Sequence, residues 1–328
     1  MRRVNPAVVL SCLVLSTAAA LPAGALAATS TPTATGTGGA VASMDLDASQ
    51  AGIDVLRKGG NAIDAAVATA SALGVTIPFV AGPEGGGFMV IYDARTHSVT
   101  TIDGRENCPA ACTSSLFIDP STGQPMDYTT ASDQPLSTAV PGNLATWDKA
   151  VALYGRRSLA QDLQPAIRIA ERGFRVNSDF VQLTQSGLQT LQAYPASRQL
   201  LLDPSGNPLA VGTLLKNPDL AKTYRLIAKD GAGAFYDGPI GQAIVQADDH
   251  PVLQPGQTIV TQPGIMTAVQ RRLDRGRDPQ HPERLQPRRR ASCDRALPLP
   301  GGLATCLRRP QPLGRRPAPG ERAAERSA

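Results

Sequence analysis

The chain has 328 residues, of which 42% are hydrophobic and 18% charged, a composition that is ordinary for a globular protein and argues against a wholly disordered one. The formal charge of +5 is unevenly distributed, because residues 271–328 carry 15 Arg, no Lys and 6 acids, a net charge of +9. Residues 1–270 therefore hold the remaining 17 basic and 21 acidic residues, so a mildly acidic body (net −4) precedes a basic tail.

The N-terminal residues have the pattern of an export signal. Arg2 and Arg3 precede an apolar run that begins at Ala7, and the small residues of 25–27 suit signal peptidase. We expect residues 1–27 to be a signal peptide and the protein to be secreted, with the Thr-, Gly- and Ala-rich residues 28–39 as a flexible lead. An uncleaved anchor is the alternative. No later segment reaches the roughly 18 to 20 apolar residues that a membrane span needs, so we expect no membrane association after cleavage.

The next segment predicts a short strand and two helices. Residues 40–42 are apolar and could belong to a strand. Asp47 and Ser49 offer capping side chains before a helical pattern over 51–56. A second helix is predicted over 62–73, and its alanine-rich faces predict close packing against a sheet.

A glycine-rich turn then leads into a predicted hairpin. The turn spans residues 82–87, and the apolar run 88–92 that follows is predicted to be a buried strand, with 99–103 as its hairpin partner. The turn is not a phosphate-binding loop, because the Lys-Ser/Thr pair is absent and a strand rather than a helix follows. We expect Gly85, Gly86 and Gly87 to be structural, allowing the backbone to approach a neighbouring strand or a ligand closely.

Two cysteines follow the hairpin with the spacing C-x3-C. In an exported protein, Cys108 and Cys112 are expected to form a local disulfide. Free thiols are one alternative. A zinc site is another, but it would need two further ligands, and His97 and His250 are distant in sequence.

The remaining body is predicted to be mainly helical, which makes the chain helix-rich and α+β in class. Residues 113–145 carry turn signals and are predicted to be mostly loop. Helical patterns follow over 143–154, 158–172, 178–193 and 218–230, and a short helix is predicted around 234–246. The tail, 271–328, holds 9 Pro and 15 Arg without periodicity, so we expect it to be disordered.

Six motifs occur in an order and spacing that resemble the large subunit of γ-glutamyltransferases, also called γ-glutamyltranspeptidases or glutathione hydrolases. The resemblance covers about residues 38–268. The motifs are RKGGNAIDAAVA (57–68), GPEGGGFMVIY (82–92), DGRENCPA (103–110), VPGNLATW (140–147), LQPAIRIAERGFRV (163–176) and GAFYDGPIGQAI (233–244).

The resemblance implies a fold and a reaction. Residues 40–270 would form the large-subunit half of the Ntn-hydrolase fold, a four-layer αββα sandwich that both subunits build. The family moves a γ-glutamyl group from glutathione or related amides to water or an amino acid, without a cofactor. Its nucleophile is the N-terminal Thr of a small subunit, normally cut from the same precursor, whose own amine serves as the base.

The resemblance also assigns site residues. Arg105 matches the arginine that binds the α-carboxylate of the substrate, which a planar guanidinium can grip with two parallel hydrogen bonds. A structural ion pair with Glu106 or Asp103 is the alternative. Glu106 would orient Arg105 or be a solvated charge. The family's self-cleavage threonine lies in the small subunit, so the resemblance implies that this chain has no catalytic residue and is inactive alone. Of the two Thr-Thr pairs before the tail, Thr100-Thr101 sits in the predicted hairpin just before Arg105, and Thr129-Thr130 lacks the strand context of the family's cleavage site.

The basic tail has an explanation in the reading frame. If synonymous codons for 271–287 are read one nucleotide later, they allow GGSTVGETLNILNGYN, and 299–317 allow YLEASRLAYADRNRWVGDP; both strings resemble later segments of the family. We therefore expect a frameshift near Gln270. Two other functions stay open: a secreted, non-catalytic glutamate-binding protein, and a nucleic-acid-binding protein that uses the tail. Export and the frameshift argue against nucleic acid.

Overall fold

The computed structural model describes residues 35–257, 262–267 and 269. The predicted signal peptide and basic tail lie outside these residues and remain predictions. The described part contains two two-stranded antiparallel sheets, one of β1 (Gly87–Asp93) and β2 (Ser98–Gly104), the other of β3 (Phe174–Arg175) and β4 (Leu214–Leu215). Its helices are α1 (Leu46–Arg57), α2 (Ala62–Thr76), α3 (Tyr128–Ser132), α4 (Asn143–Tyr154), α5 (Leu159–Asp162), α6 (Gln164–Arg172), α7 (Ser178–Ser186), α8 (Leu188–Ala193), α9 (Pro195–Leu201), α10 (Pro218–Asp230), α11 (Gly233–Tyr236) and α12 (Pro239–Asp249).

Helix α1 begins earlier than the sequence pattern indicated. Asp45, and not Asp47 or Ser49, is the N-cap, and its carboxylate accepts the backbone N–H of Ala48 at 3.0 Å. Asp45 also accepts a hydrogen bond from the Asn177 side chain, which ties the start of α1 to the start of α7. The strand predicted over 40–42 is absent, because Val41 packs instead against the apolar cluster of Val55 on α1.

Helix α2 packs mainly against other helices rather than the predicted sheet. Its closest neighbour is α1, and α4, α5 and α6 also contact it. At the α1–α2 contact, a Cβ added to Gly52 would overlap the Thr69 hydroxyl and come within 3.1 Å of the Ala65 carbonyl oxygen. The small side chains thus serve a close approach between two helices, a requirement that produces the same alanine-rich pattern as packing on a sheet.

The predicted hairpin is confirmed, with Phe88 opposite Asp103 and Tyr92 opposite Val99. Alternate residues of β1 point to opposite faces. Met89 and Ile91 pack with Ile102 and the neighbouring helices, whereas the other face of β1 is exposed. The prediction that the strand is buried is therefore correct for one face only.

The main core joins α2 to the helices from α4 onward. Phe180 packs edge-on against Phe79 with ring centroids 5.0 Å apart, and Tyr224 is fully buried, donating its hydroxyl to the Ser71 carbonyl at 2.9 Å. The predicted helix 158–172 divides into α5 and α6 at Leu163, and Pro165 follows as a first-turn residue of α6. Among the described helices, none has the combination of length and hydropathy that crossing a membrane requires.

Candidate functional site

The candidate site lies where the β1–β2 hairpin opens. Gly87 begins β1 and pairs with Gly104, the last residue of β2. A Cβ on Gly104 would overlap the Thr146 side chain of α4 and lie 3.0 Å from the Gly87 carbonyl oxygen. Only glycine leaves room for α4 to pack this closely on the end of β2.

The glycine loop is fixed to the first turn of α4. The Gly85 carbonyl accepts the backbone N–H groups of Gly142 and Asn143 at 3.0 and 2.9 Å. The Asn143 side chain donates to the Gly82 carbonyl at 2.8 Å. The loop thus contacts the backbone at the start of a helix rather than a neighbouring strand, and two of the unsatisfied N–H groups at the start of α4 gain a partner.

Arg105 follows β2 directly and lies between two fixed points. On one side is the Gly104–Gly87 pair, and on the other Asn107 exchanges two backbone hydrogen bonds with Val140, at 3.1 and 2.8 Å. The Arg105 backbone N–H also donates to the Asp103 carboxylate at 3.0 Å. The Arg105 side chain is 72% exposed, so a constrained backbone presents a cation to solvent.

Glu106 is the acidic neighbour of this cation. Its Oε2 lies 3.4 Å from Arg105 Nε. That oxygen is buried but accepts no hydrogen bond from the described residues, so the contact is electrostatic without good hydrogen-bond geometry. Gly86 makes room for Glu106, because a Cβ at Gly86 would overlap the Glu106 carboxyl group. The structure therefore brings together all the residues that the sequence assigned around Arg105.

Two residues that the sequence did not single out, Asn143 and Tyr236, fix the backbone of the glycine loop and of the start of α4. Asn143 holds the glycine loop, as described above. The Tyr236 hydroxyl donates to the Pro141 carbonyl at 3.1 Å and accepts the Ala145 backbone N–H at 3.0 Å. Both residues occur in the quoted motifs, but their partners are carbonyl and N–H groups 61 to 95 residues away, and no local pattern indicates such partners.

The glycine loop also carries a carboxyl group in an unfavourable environment. Glu84 is exposed on one side of the loop, and partial desolvation by the protein atoms near it raises the pKa of Glu84, which a backbone hydrogen bond opposes. Burial, and then the charge of Glu84, raise the pKa of Tyr224 well above its ordinary value. The loop thus holds an acid whose ionised form is disfavoured.

Cys108 and Cys112 are joined by a disulfide, with their Cα atoms 5.9 Å apart. Because the two sulfur atoms are bonded to each other, they are not free thiolates for a zinc ion. Within the described ranges, no group of three or more His, Cys, Asp or Glu side chains is arranged to hold a metal ion. The threonine pairs lie inside regular elements, Thr100-Thr101 in β2 and Thr129-Thr130 in α3.

Comparison with known proteins places these features in one family. The sequence model of the family described as gamma-glutamyltranspeptidase matches residues 48–262. The chain is 40% identical over 206 residues to the glutathione hydrolase proenzyme of Bacillus subtilis (strain 168), covering 63% of this chain and 35% of the relative. It is 37% identical over 251 residues to that of Escherichia coli (strain K12), covering 75% and 43%. The chain thus spans less than half the length of these relatives.

Solved structures agree with the sequence relatives. The Helicobacter pylori gamma-glutamyltranspeptidase superimposes with a TM-score of 0.62 at 32% identity, covering 66% of this chain and 61% of that one. The gamma-glutamyltranspeptidase of Pseudomonas nitroreducens, solved in complex with L-DON, gives a TM-score of 0.57 at 31% identity, covering 64% and 60%. The helix-rich α+β class, as part of the Ntn-hydrolase fold, is thereby confirmed. The chain belongs to the γ-glutamyltranspeptidase family.

Proposed function

We propose that this chain is the γ-glutamyl-binding part of a secreted γ-glutamyl amide hydrolase or transferase, with Arg105 binding the α-carboxylate of the γ-glutamyl group. The observation that carries this proposal is the geometry of Arg105, whose backbone is fixed on both sides while its guanidinium faces solvent. A planar guanidinium in such a position can donate two parallel hydrogen bonds to one carboxylate.

Glu106 would act on Arg105 rather than on the substrate. Its carboxyl lies against the guanidinium, and one of its oxygens has no other partner among the described residues. A carboxylate in this position restricts the guanidinium to one side and leaves the remaining N–H donors free for a ligand. Substrate binding would then draw on a cation that is already oriented.

The substrates follow from the relatives. Those proteins are named glutathione hydrolases, so the expected donors are glutathione and related γ-glutamyl amides, and the acceptors are water or amino acids. A guanidinium orients the glutamyl end but does not attack an amide. The nucleophilic threonine and its amine would be supplied by a small subunit, a polypeptide equivalent to the length that the relatives have beyond this chain.

The exposed face of β1 supports the need for such a partner. Phe88, Val90 and Tyr92 are 66%, 70% and 60% exposed and lie on one face of a two-stranded sheet. An apolar strand face beside a binding residue is the surface that a further layer of the protein would cover. We define these three residues as the outer face of β1.

Calorimetric titration of the purified chain with L-glutamate tests the role of Arg105. We expect binding that weakens at least about tenfold in Arg105→Ala, because a charge-assisted pair of hydrogen bonds is lost. Arg95→Ala is the matched control, since Arg95 is a hairpin cation with 88% exposure that contacts Asp93. Equal binding by the wild type and Arg105→Ala would refute the assignment.

Turnover separates an enzyme from a glutamate-binding protein. The chain alone should not hydrolyse a chromogenic γ-glutamyl anilide, whereas co-expression with the small subunit of the Bacillus subtilis relative should give turnover that Arg105→Ala reduces. Glutamate binding without turnover in the co-expressed sample would favour the non-catalytic binding protein. Turnover by the isolated chain would contradict the proposed division of labour.

A further inference from the structure

We propose that the Cys108–Cys112 disulfide is a thiol–disulfide exchange site for γ-glutamyl thiols, in which the thiol becomes joined to Cys108 and its γ-glutamyl carboxylate is bound by Arg105. The inference begins with position. Cys108 is three residues beyond Arg105, and the disulfide closes a loop of only five residues. The preference for γ-glutamyl thiols rests on the proposed function of Arg105, whereas the exchange itself does not.

The disulfide does not cross-link residues of the hydrophobic core. Cys108 is exposed and Cys112 half-buried, and the residues between and directly after them are exposed except for Pro109. The chain on the Arg105 side of the bridge is already fixed by the hydrogen bonds between Asn107 and Val140. A disulfide that is accessible and closes a short surface loop belongs to the readily exchanged class rather than the buried structural class.

The exchange balances without any further oxidant or reductant. The thiolate of the incoming γ-glutamyl thiol attacks Sγ of Cys108, which is the exposed partner. The Cys108–Cys112 bond breaks, Cys112 leaves as a thiolate and takes a proton from water, and a mixed disulfide forms at Cys108. One disulfide is consumed and one is made, so no electrons are gained or lost overall.

The short distance between Arg105 and Cys108 along the chain favours a thiol that carries a γ-glutamyl group. Three residues span at most about 11 Å when fully extended, so Arg105 lies within that distance of the modified sulfur along the chain. In glutathione, one cysteine side chain and one γ-linked glutamate separate the sulfur from the glutamyl α-carboxylate, which is a comparable length. Attachment raises the effective concentration of the glutamyl carboxylate beside the Arg105 guanidinium, on a side chain that is 72% exposed.

The experiment uses the full chain with Cys112→Ser, which leaves Cys108 as the free thiol of the pair. It is equilibrated with glutathione disulfide and glutathione, and in parallel with the disulfide and thiol forms of 2-mercaptoethanol, which has no carboxylate. Peptide mapping by mass spectrometry gives the fraction of Cys108 in each mixed disulfide. Cys293 and Cys306 report, in the same sample, on thiols remote from Arg105 in sequence.

We expect glutathione to be favoured at Cys108 over the neutral thiol by about fivefold, which corresponds to about 1 kcal/mol for an exposed ion pair. Arg105→Gln should abolish the preference, whereas Arg95→Gln should preserve it. In the wild-type chain, millimolar glutathione should convert the disulfide to the Cys108 adduct.

Two results would overturn the proposal, and they differ in meaning. If the wild-type disulfide gives no adduct with either thiol, exchange does not occur, and the carboxylate-binding role of Arg105 is untouched. If adducts form but Arg105→Gln leaves the preference unchanged, Arg105 does not bind the tethered γ-glutamyl group, and the proposed function loses its main support as well.

Discussion

At the residue scale, the candidate site depends on the shape of one side chain as much as on its charge. Arg105 can present two parallel N–H donors to a carboxylate, whereas lysine offers a flexible point charge. Arg105→Lys should therefore weaken glutamate binding several-fold while keeping the net charge, and Arg105→Ala should weaken it further. Calorimetry on both variants checks the order. Equal affinities for the Arg105→Lys variant and the wild type would mean that charge alone attracts the ligand.

At position 86 only glycine fits without a shift of the neighbouring residues, because the space for a side chain is already occupied. An added Cβ would overlap the Glu106 carboxyl and approach the Glu106 backbone nitrogen at 2.8 Å, so the loop or Glu106 must move. We expect Gly86→Ala to lower the free energy of unfolding by about 1–3 kcal/mol, the usual cost of overpacking. Urea denaturation measures this loss, and the variant should also bind glutamate more weakly because Glu106 is displaced.

A matched control separates this effect from the general cost of replacing glycine. Gly187 has a φ of −109°, and a Cβ there would contact only the Leu183 carbonyl oxygen, at 4.0 Å. Gly187→Ala should change stability by less than about 1 kcal/mol. If both variants lose the same stability, the close approach of Gly86 to Glu106 is not the cause.

The sequence carried much of this residue-scale information, but only for neighbours in the chain. The order of the motifs identified Arg105, Glu106 and the glycines, and the C-x3-C spacing predicted the pairing that the structure contains. Asn143 and Tyr236 were missed because each bonds to a backbone carbonyl that any residue type would present. When a side chain bonds to a backbone group, the residue type of its partner is not constrained, so the sequence does not indicate the partner.

At the element scale, the sequence patterns predicted where most helices lie, whereas the errors concern the positions at which a long predicted helix is interrupted. The α4 bounds of 143–154 and the α10 bounds of 218–230 were correct, and each helix has a cap or turn residue directly before and after it, Gly142 and Gly155 for α4 and Asn217 and Gly231 for α10. The long predicted segments 158–172 and 178–193 are each divided, at Leu163 and at Gly187. Periodicity continues across such breaks, so only the three-dimensional structure places them.

The junction of α2, α4 and α5 contains a buried acid pair that gives a pH prediction. Asp64 and Asp162 are both fully buried. Asp64 accepts backbone N–H groups from Asn61, Arg156 and Arg157. Asp162 accepts Arg157 Nε at 2.9 Å, and its second oxygen has no donor among the residues that the structure describes. Desolvation raises the pKa of Asp162 to about 7, with the neighbouring Asp64 adding to the rise and Arg157 opposing it.

The sign follows from comparing the folded and unfolded chains. The ordinary pKa of 3.8 applies when unfolded, so between about pH 4 and pH 7 the folded protein keeps a proton that the unfolded chain has released. Stability attributable to Asp162 should therefore fall as pH rises through this window and level off above about pH 7. The slope is on the order of 1 kcal/mol per pH unit.

Asp162→Asn should remove this dependence. Its amide oxygen can accept from Arg157 and its N–H can donate to Asp64 at every pH, as a protonated Asp162 would. Urea denaturation from pH 4.5 to pH 8 should show the variant gaining on the wild type as pH rises. The exposed Asp230→Asn should shift stability by less than about 0.5 kcal/mol throughout. A constant difference between Asp162→Asn and the wild type would contradict the retention of a proton by Asp162 in the folded protein.

At the scale of the whole molecule, the main difference from the sequence prediction is the exposure of β1. The continuous apolar run Phe88–Tyr92 predicts a strand that is covered on both faces. One face is covered by the helices behind Met89 and Ile91, and the outer face of β1 is open to solvent in the described structure. The apolar run shows that the strand is suited to an environment covered on both faces, and the described residues cover one of them.

The outer face of β1 therefore predicts how the chain behaves with and without a partner. Replacing Phe88, Val90 and Tyr92 together by Thr keeps β-propensity but removes apolar surface. The triple variant should aggregate less and bind less of a hydrophobic dye than the wild type, with a similar melting temperature, because these side chains contribute little to the core. Light scattering and thermal melting measure these effects.

When the chain is co-expressed with the small subunit of a relative, we expect the wild type to perform better than the triple variant. If the outer face of β1 is where that subunit packs, the triple variant should lose co-purification and anilide turnover although it is the more soluble chain. Val211→Thr with Val252→Thr is the control, since these side chains are 65% and 69% exposed at separate places. The control should assemble normally. Assembly of the triple variant at the wild-type level would show that this strand face is not the contact, and the apolar run would then need another explanation.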